Sequence, residues 1–335
     1  MARIRKNSVP LSPVAILVAT IVVLGLGLFA KGIALVRPAI IGTQKFGETK
    51  VEGTVFPKLI KNAGGDLVQT VSSPPKRIAS VVLAADEILA SFAPERLIAV
   101  TYLVDDVGIS NCSNAVPKSA IRLHSDIESV LAAEPDMVFV AGYTPMETVQ
   151  LLAAAGIPVI HFSQYDSFAD IMNNVLLAGN AIGKETEAQK VISNMKSKIA
   201  SVEKRVMNQP RPRVLYYSSY GYTSGSDTSI DEMIEKAGGS NAVRIAGLKG
   251  PAQLSIETAI SLQPEVIIVS AWEAGAKGKI GAVEELLGDP IWKDVPAIRE
   301  KRICSIRGAW LTAVSPYAVY GLEEVARCLH PELFH

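Results

Sequence analysis

Cysteine and net charge are both scarce in this chain, and each shortage excludes something. The three cysteines, Cys112, Cys304 and Cys328, are widely spaced, with no CxxC pair and no Cys/His cluster. That argues against structural zinc and iron–sulfur centres. An odd count cannot close a complete disulfide framework, so each cysteine reads first as a small buried hydrophobe. A Cys304–Cys328 bridge stays open if the compartment is oxidising. The 33 basic residues are balanced by 33 acidic ones, without the basic excess that phosphate binding leaves, so no nucleic-acid partner is expected. There is no GxxxxGK[ST] phosphate loop and no GxSxG nucleophile elbow, and the chain is not expected to be an enzyme or to carry a cofactor of its own.

What is present begins with a membrane signal. Arg3, Arg5 and Lys6 precede an uncharged run from Val14 to Ala30; Lys31 interrupts it, and Gly32 to Val36 continue it. Residues 14–36 as a helix would span the roughly 30 Å hydrocarbon layer. The positive residues before it place residues 1–13 in the cytoplasm and everything beyond outside. The expectation is an uncleaved single-pass signal-anchor at 14–36, followed by a polar tether at 37–53. No cysteine follows the run, so a bacterial lipoprotein is not expected.

The most informative feature is a duplication. Ile127-Glu128 opens a short helical run that ends in Pro135-Asp136 and the apolar Met137-Val138-Phe139-Val140; Ile256-Glu257 does the same before Pro264-Glu265 and Val266-Ile267-Ile268-Val269. Glutamate and proline are seven residues apart in both copies. Upstream, Arg77-Ile78 opens an apolar strand before Asp86-Glu87, and Arg213-Val214 opens another before Asp231-Glu232. Two similar halves imply two similar lobes with a cleft between them.

The remaining pattern fits that division. Apolar strands at Arg77–Leu83, Leu97–Thr101, Met137–Ala141 and Val159–Phe162 alternate with helices at Ala85–Phe92, Ile127–Ala133 and Met146–Ala154, the signature of parallel α/β pairing. A hairpin is expected within Thr54–Val71. Helices are then predicted over Ser167–Ile182 and Lys184–Met207, broken at Gly183. In the second, Ala188, Val191, Ile192, Met195, Ile199, Val202 and Val206 share one face, and Pro210 and Pro212 stop it. Strands at Val214–Ser218, Val266–Ser270 and Arg302–Ile306 repeat the scheme, with helices at Ser229–Ala237, Ile256–Leu262, Ala282–Leu287 and Pro316–Leu329. The expected fold is therefore α/β: two similar parallel-sheet lobes, 54–166 and 210–335, joined by a long rigid helix within 167–209 and preceded by the transmembrane helix. A continuous helical link favours small rocking over wide hinge closure.

Ligands of open parallel sheets bind beyond the carboxyl ends of the strands. The loops there carry Asp86, Tyr102, Tyr143, Tyr220, Tyr222, Trp272, Arg307 and Trp310, and so many amphipathic aromatics on loops suggest a ligand-binding wall.

At this point the chain resembles the periplasmic binding proteins of ABC importers for ferric siderophores, haem and vitamin B12. The resemblance covers roughly Val55 to Phe334. It is carried by Pro74-Pro75-Lys76-Arg77-Ile78-Ala79-Ser80, both Ile-Glu…Pro-acid motifs, Gly156-Ile157-Pro158-Val159, the long linking helix, Thr223-Ser224-Gly225…Ala237-Gly238-Gly239-Ser240-Asn241 and the ending Asp289-Pro290-Ile291-Trp292…Ser315-Pro316…Gly321-Leu322-Glu323. It implies capture of an iron chelate or a corrinoid, whose iron or cobalt belongs to the cargo, and delivery to a permease dimer with its ATPase. It assigns Glu128 and Glu257 to docking on permease arginines. Haem-binding members carry a tyrosine iron ligand before the first Ile-Glu motif; here Ala120-Ile121-Arg122-Leu123-His124-Ser125 has none, and His124 is either a substitute axial ligand or, as a lone histidine more often is, structural. Four histidines, two of them near the C-terminus, disfavour a naked-metal site. Arg122, Arg244 and Arg307 are candidates to hold an anionic chelate. The competing expectations are a membrane-tethered ligand sensor and a bilobal α/β enzyme.

Overall fold

The computed structural model describes residues 49–62, 67–124, 126–218, 221–271 and 282–334. The expected anchor at 14–36, most of the tether, Tyr220 and Trp272 lie outside the described residues. Among the described residues no helix is long and apolar enough to cross a membrane.

The described chain opens with three short antiparallel strands, β1 (Lys50–Glu52), β2 (Lys58–Lys61) and β3 (Val68–Val71). β2 and β3 form the expected hairpin. β1 falls in the stretch read as tether; its three residues are too few to show a period, and pairing with β2 is what makes them a strand. The first lobe continues with β4 (Ile78–Ser80), α1 (Leu83–Ala90), β5 (Leu97–Thr101), β6 (Ile121–Leu123), α2 (Ile127–Ala132), β7 (Met137–Ala141), α3 (Met146–Ala154) and β8 (Val159–Phe162). Its sheet is parallel throughout, in the order β6-β5-β4-β7-β8. β7 and β8 are buried at every position, as strands covered on both faces must be. The strand expected over Arg77–Leu83 stops at Ser80, whose hydroxyl donates to the Val82 carbonyl at 3.0 Å and closes a turn into α1. β6 was not anticipated; it is an edge strand with Ile121 exposed.

Two helices link the lobes. α4 (Phe168–Ile182) begins at Ser167, whose hydroxyl accepts from the Asp170 N–H, a side-chain cap of the favoured type. It ends at Gly183, which takes a left-handed conformation at φ 70° that a side chain would resist. α5 (Glu185–Val206) then runs for about 33 Å. The close pairing of the two depends on Gly179, where a β-carbon would collide with that of Ala188. The apolar stripe of α5 serves both lobes: Ala188 and Ile192 belong to the first core, and Met195, Ile199, Val202 and Val206 to the second. Val191 packs against both. One helix is thus built into two cores.

The second lobe holds β9 (Arg213–Tyr216), β10 (Tyr222–Ser224), α6 (Ser229–Lys236), β11 (Ser240–Asn241), β12 (Pro251–Gln253), α7 (Ile256–Ser261), β13 (Val266–Ser270), α8 (Ala282–Gly288), α9 (Pro296–Arg299), β14 (Ile303–Ile306), α10 (Gly308–Leu311) and α11 (Ala318–Leu329). Its parallel sheet has the order β11-β9-β13-β14, and β10 pairs with β12 in a separate antiparallel ribbon. Cys304 on β14 and Cys328 on α11 are bridged, with their Cα atoms 6.2 Å apart. Of the two readings left open for this pair, the bridge is the one found; the reading as a small buried hydrophobe holds for Cys112, which is free and buried. Spacing could not reveal the pair because a strand and a helix far apart in sequence bring it together.

The duplication is carried down to single hydrogen bonds. In the first lobe the Asp136 N–H donates to the Arg77 carbonyl at 2.8 Å, and the Arg77 N–H returns to the Asp136 carboxylate at 2.9 Å. In the second lobe Glu265 and Arg213 do the same, at 2.8 and 2.9 Å. The Arg77 guanidinium clasps the Ala133 and Glu134 carbonyls, and that of Arg213 clasps Gln263. The clasped residues Glu134 and Gln263 both have positive φ, 49° and 47°. The arginine that opens each first strand therefore pins the turn that aims each Pro-acid strand into the sheet.

Candidate ligand cleft and docking face

The two motif glutamates lie in matching places. α2 is capped by Asp126, whose carboxylate accepts from the Ser129 N–H, and α7 by Ser255, whose hydroxyl accepts from the Thr258 N–H. Glu128 and Glu257 each follow two residues after the cap, in the first turn, and both are exposed. Neither enters an ion pair among the described residues. The Glu257 carboxyl is held below its usual range by the N–H groups at its helix start and by the Ser255 hydroxyl. An acid at a helix N-terminus is favoured by the macrodipole, so the local fold tolerates these charges without using them in any bridge.

The acid pairs upstream are also matched, and they explain what holds the lobes together. Asp86 accepts from the Thr101 N–H at 3.2 Å and hydroxyl at 2.7 Å, tying α1 to the neighbouring β5. Asp231 accepts from the Asn241 side chain at 2.8 Å, tying α6 to the neighbouring β11. The following glutamates reach further. Glu232 accepts from the Phe168 N–H at 2.6 Å, at the start of the linking helices. Glu87 crosses to the other lobe: one carboxylate oxygen accepts from the buried Ser315 hydroxyl, the other from the Asn111 N–H at 2.7 Å and side chain at 3.0 Å. The Asn111 side chain also donates to the Ala309 carbonyl of the second lobe at 2.5 Å. Burial raises the Glu87 carboxyl, an effect opposed by Ser315, by Asn111 and by the charge of Arg307. Asp86 is fully buried, and burial pushes it up to about 7. It had been read as a cleft-loop residue; instead it lies inside α1 with no exposed surface. The sequence signal for this latch was the repeated Asp-Glu pair; the partners Asn111 and Ser315 had none.

The predicted cleft residues fall into distinct environments. Tyr102 is half-buried and stacks on His124, ring centroids 4.6 Å apart. Tyr143 is 75% exposed at the end of β7, near the half-buried Tyr165, whose phenol burial raises and Tyr143 raises further. Tyr222 is half-buried at the start of β10, its N–H donating to Ser218 at 3.0 Å. The arginines weighed as anion receptors are engaged. Arg122 grips Asp105 through two nitrogens at 2.8 and 2.9 Å, which holds that carboxyl below its usual range. Arg244 grips Asp231 in the same way at 2.9 and 2.7 Å. Arg307 reaches across the lobes to the Val107 carbonyl at 3.2 Å, with its guanidinium over the Trp310 ring. Trp310 also packs on Tyr320, centroids 5.8 Å apart. Among the described residues no cluster of three His, Cys, Asp or Glu side chains is placed to hold a metal ion.

A profile of the periplasmic binding protein family matches residues 113–309, more than half of the chain. The chain belongs to this family. It is 26% identical over 306 residues to the ABC transporter substrate-binding lipoprotein YvrC of Bacillus subtilis, covering 87% of this chain and 91% of that protein. It is 23% identical to the cobalamin-binding protein of Halobacterium salinarum, over 78% of this chain and 71% of that one. Among solved structures, the molybdate-binding protein MolA of Haemophilus influenzae superposes with a TM-score of 0.68 at 21% identity, covering 80% of this chain and 90% of MolA; at that identity the likeness concerns the fold. Its relatives are binding proteins and not enzymes, in keeping with the missing catalytic motifs.

Proposed function

We propose that the protein is the extracytoplasmic substrate-binding component of an ABC importer. It captures a bulky metal complex between its lobes and presents it to a permease dimer powered by an ATPase. The observation that carries this reading is the matched pair Glu128 and Glu257: same register, same cap position, both exposed and without an ion-pair partner among the described residues. A partner with two equivalent basic sites can grip both lobes at once. Tethering through an anchor at 14–36 rests on the hydropathy and the flanking charges of that segment.

The ligand best suited to the cleft is a coordinatively saturated complex without strong negative charge, such as a corrinoid. Three observations support it. Arg122, Arg244 and Arg307 are already committed to carboxylates and carbonyls, so an anionic chelate would have to break those contacts. His124 is stacked on Tyr102. The aromatics Tyr102, Tyr143 and Tyr222, with Tyr220, Trp272 and Trp310 as their expected companions, suit a broad ring system. Fluorescence titration with cyanocobalamin, a ferric catecholate chelate and haem tests this ranking, and cobalamin should bind tightest. Binding of the catecholate alone would overturn it. The docking reading is tested by reversing both glutamates to arginine: ligand affinity should hold and uptake should cease, because like charges brought together across an interface cost several kcal/mol. Normal transport by the double variant would remove the main support for the importer reading.

A further inference from the structure

Beside α7 the second lobe has a pocket of about 360 Å³. Its aromatic wall is Tyr217 against Trp292, ring centroids 5.2 Å apart and edge to face. Ile256, next to the docking glutamate, lines its rim, and Glu285 and Asp289 line another side. Burial raises the Tyr217 phenol, and the charges of Glu285 and Glu257 raise it further, so both carboxylates act on the same ring. Glu257, Glu285 and Asp289 are all exposed, and none of the three has a cationic partner among the described residues. A half-buried tyrosine ring beside carboxylates that have no cationic partner among the described residues is the environment that attracts a guanidinium or ammonium group, through the ring quadrupole and the carboxylates together. The volume has room for one long side chain.

We propose that this pocket receives an arginine or lysine side chain of the permease, inserted beside Glu257, so that the second lobe is held by an enclosed cation as well as by a surface ion pair. The proposal rests on the docking reading above. The inserted cation gains more from the pocket than from a single rim pair, because several carboxylates and a tyrosine ring face it at once. The geometry also gives the second-lobe contact a depth and direction that an open glutamate lacks.

The test is the affinity of the purified protein for its permease–ATPase complex in nanodiscs, with cyanocobalamin titration as the control for the cleft. Glu285→Lys should weaken docking about tenfold or more, since it puts a like charge where the cation enters. Glu285→Gln should weaken it less. Glu284→Lys alters the same charge one position away, on an exposed residue outside the pocket lining, and should leave docking close to wild type. Tyr217→Leu should weaken docking without changing the net charge. Cobalamin affinity should be unchanged in every variant. If Glu285→Lys and Glu284→Lys behave alike while Glu257→Arg abolishes docking, the pocket proposal is overturned and the docking reading stands. If Glu257→Arg also docks normally, the docking reading itself falls. A loss of cobalamin affinity in Tyr217→Leu with docking intact would assign the pocket to the ligand and overturn the proposal in another way.

Discussion

Replacing Glu87 separates the worth of its charge from the worth of its hydrogen bonds. The side chain is 2% exposed and Ser315 is fully buried. Burial raises the Glu87 carboxyl, so ionisation is disfavoured in the folded state and the charge itself opposes folding near neutral pH. The hydrogen bonds act the other way. Both Asn111 donors converge on one carboxylate oxygen and Ser315 donates to the other. In Glu87→Gln the amide oxygen can accept both Asn111 donors, while the amide N–H donates to the Ser315 hydroxyl oxygen. Each contact is kept, the Ser315 hydroxyl hydrogen loses its acceptor and the opposing charge is gone, so the change should lie within about 1 kcal/mol of wild type, of either sign. In Glu87→Ala the three donors lose their acceptor. Ser315 has no route to water, whereas the half-buried Asn111 does, so one full and two partial penalties sum to about 2–4 kcal/mol. Ser315→Ala orphans one buried carboxylate oxygen and should cost about 1–3 kcal/mol. It should cost much less in the Glu87→Gln background, whose orphaned group is a neutral amide. Urea unfolding monitored by tryptophan fluorescence measures each difference, and small-angle scattering of the folded protein reports whether the lobes loosen. Equal stabilities for Glu87→Ala and Glu87→Gln would refute the latch: the carboxylate would then be a buried charge without structural partners.

Three further outcomes follow from the same structure. Asp86 has its carboxyl raised to about 7 from an ordinary 3.8, so its contribution is fully present below about pH 4 and is lost as pH rises through 7; Asp86→Asn should therefore match wild type at pH 4 and exceed it at pH 8 by up to about 4 kcal/mol. No difference between the two pH values in urea unfolding would show that Asp86 titrates normally. Reducing the Cys304–Cys328 bridge, which closes 24 residues of separation, should cost about 3 kcal/mol in the chain-entropy account, measured as a lowered urea midpoint in dithiothreitol; an unchanged midpoint would mean that the pair is not bridged in solution. Arg77→Ala and Arg213→Ala, which release the clasped Pro-acid turns, should each destabilise the protein by about 1–3 kcal/mol and by similar amounts, and a large effect in one lobe alone would break the structural equivalence of the halves.

The repeat was legible because it is local. A capped helix start, a turn, a proline and a strand are written within sixteen consecutive residues, and the same physical needs select the same residue types twice. Gly183 and the stripe from Ala188 to Val206 were legible for the same reason: a left-handed stop and a 3.6-residue period are written in consecutive positions. β6, β11 and the β10–β12 ribbon were not, because strands of two or three residues owe their form to the neighbour they pair with. The site residues divide along the same line. Glu128 and Glu257 sit on their helices by local rules, and their exposure follows from the cap geometry. The fates of Arg122, Arg244 and Arg307 depend on Asp105, Asp231 and the Val107 carbonyl, partners that only the folded chain brings near. A free guanidinium and a committed one are identical in sequence. The same holds for Glu87, which sits beside Asp86 on α1 but bonds to a serine 228 positions away. The division of labour has a consequence for this family of lobes. Features that face a partner can be duplicated by copying a segment, since the segment carries its own geometry. Features that join the two halves cannot be copied, because each copy meets a different surface: Glu87 finds Ser315, and its counterpart Glu232 finds the start of the linking helix. The outward glutamates share cap position and exposure, while the inward ones differ in what they hold: Glu87 joins the two lobes through Ser315, and Glu232 secures the start of the linking helices.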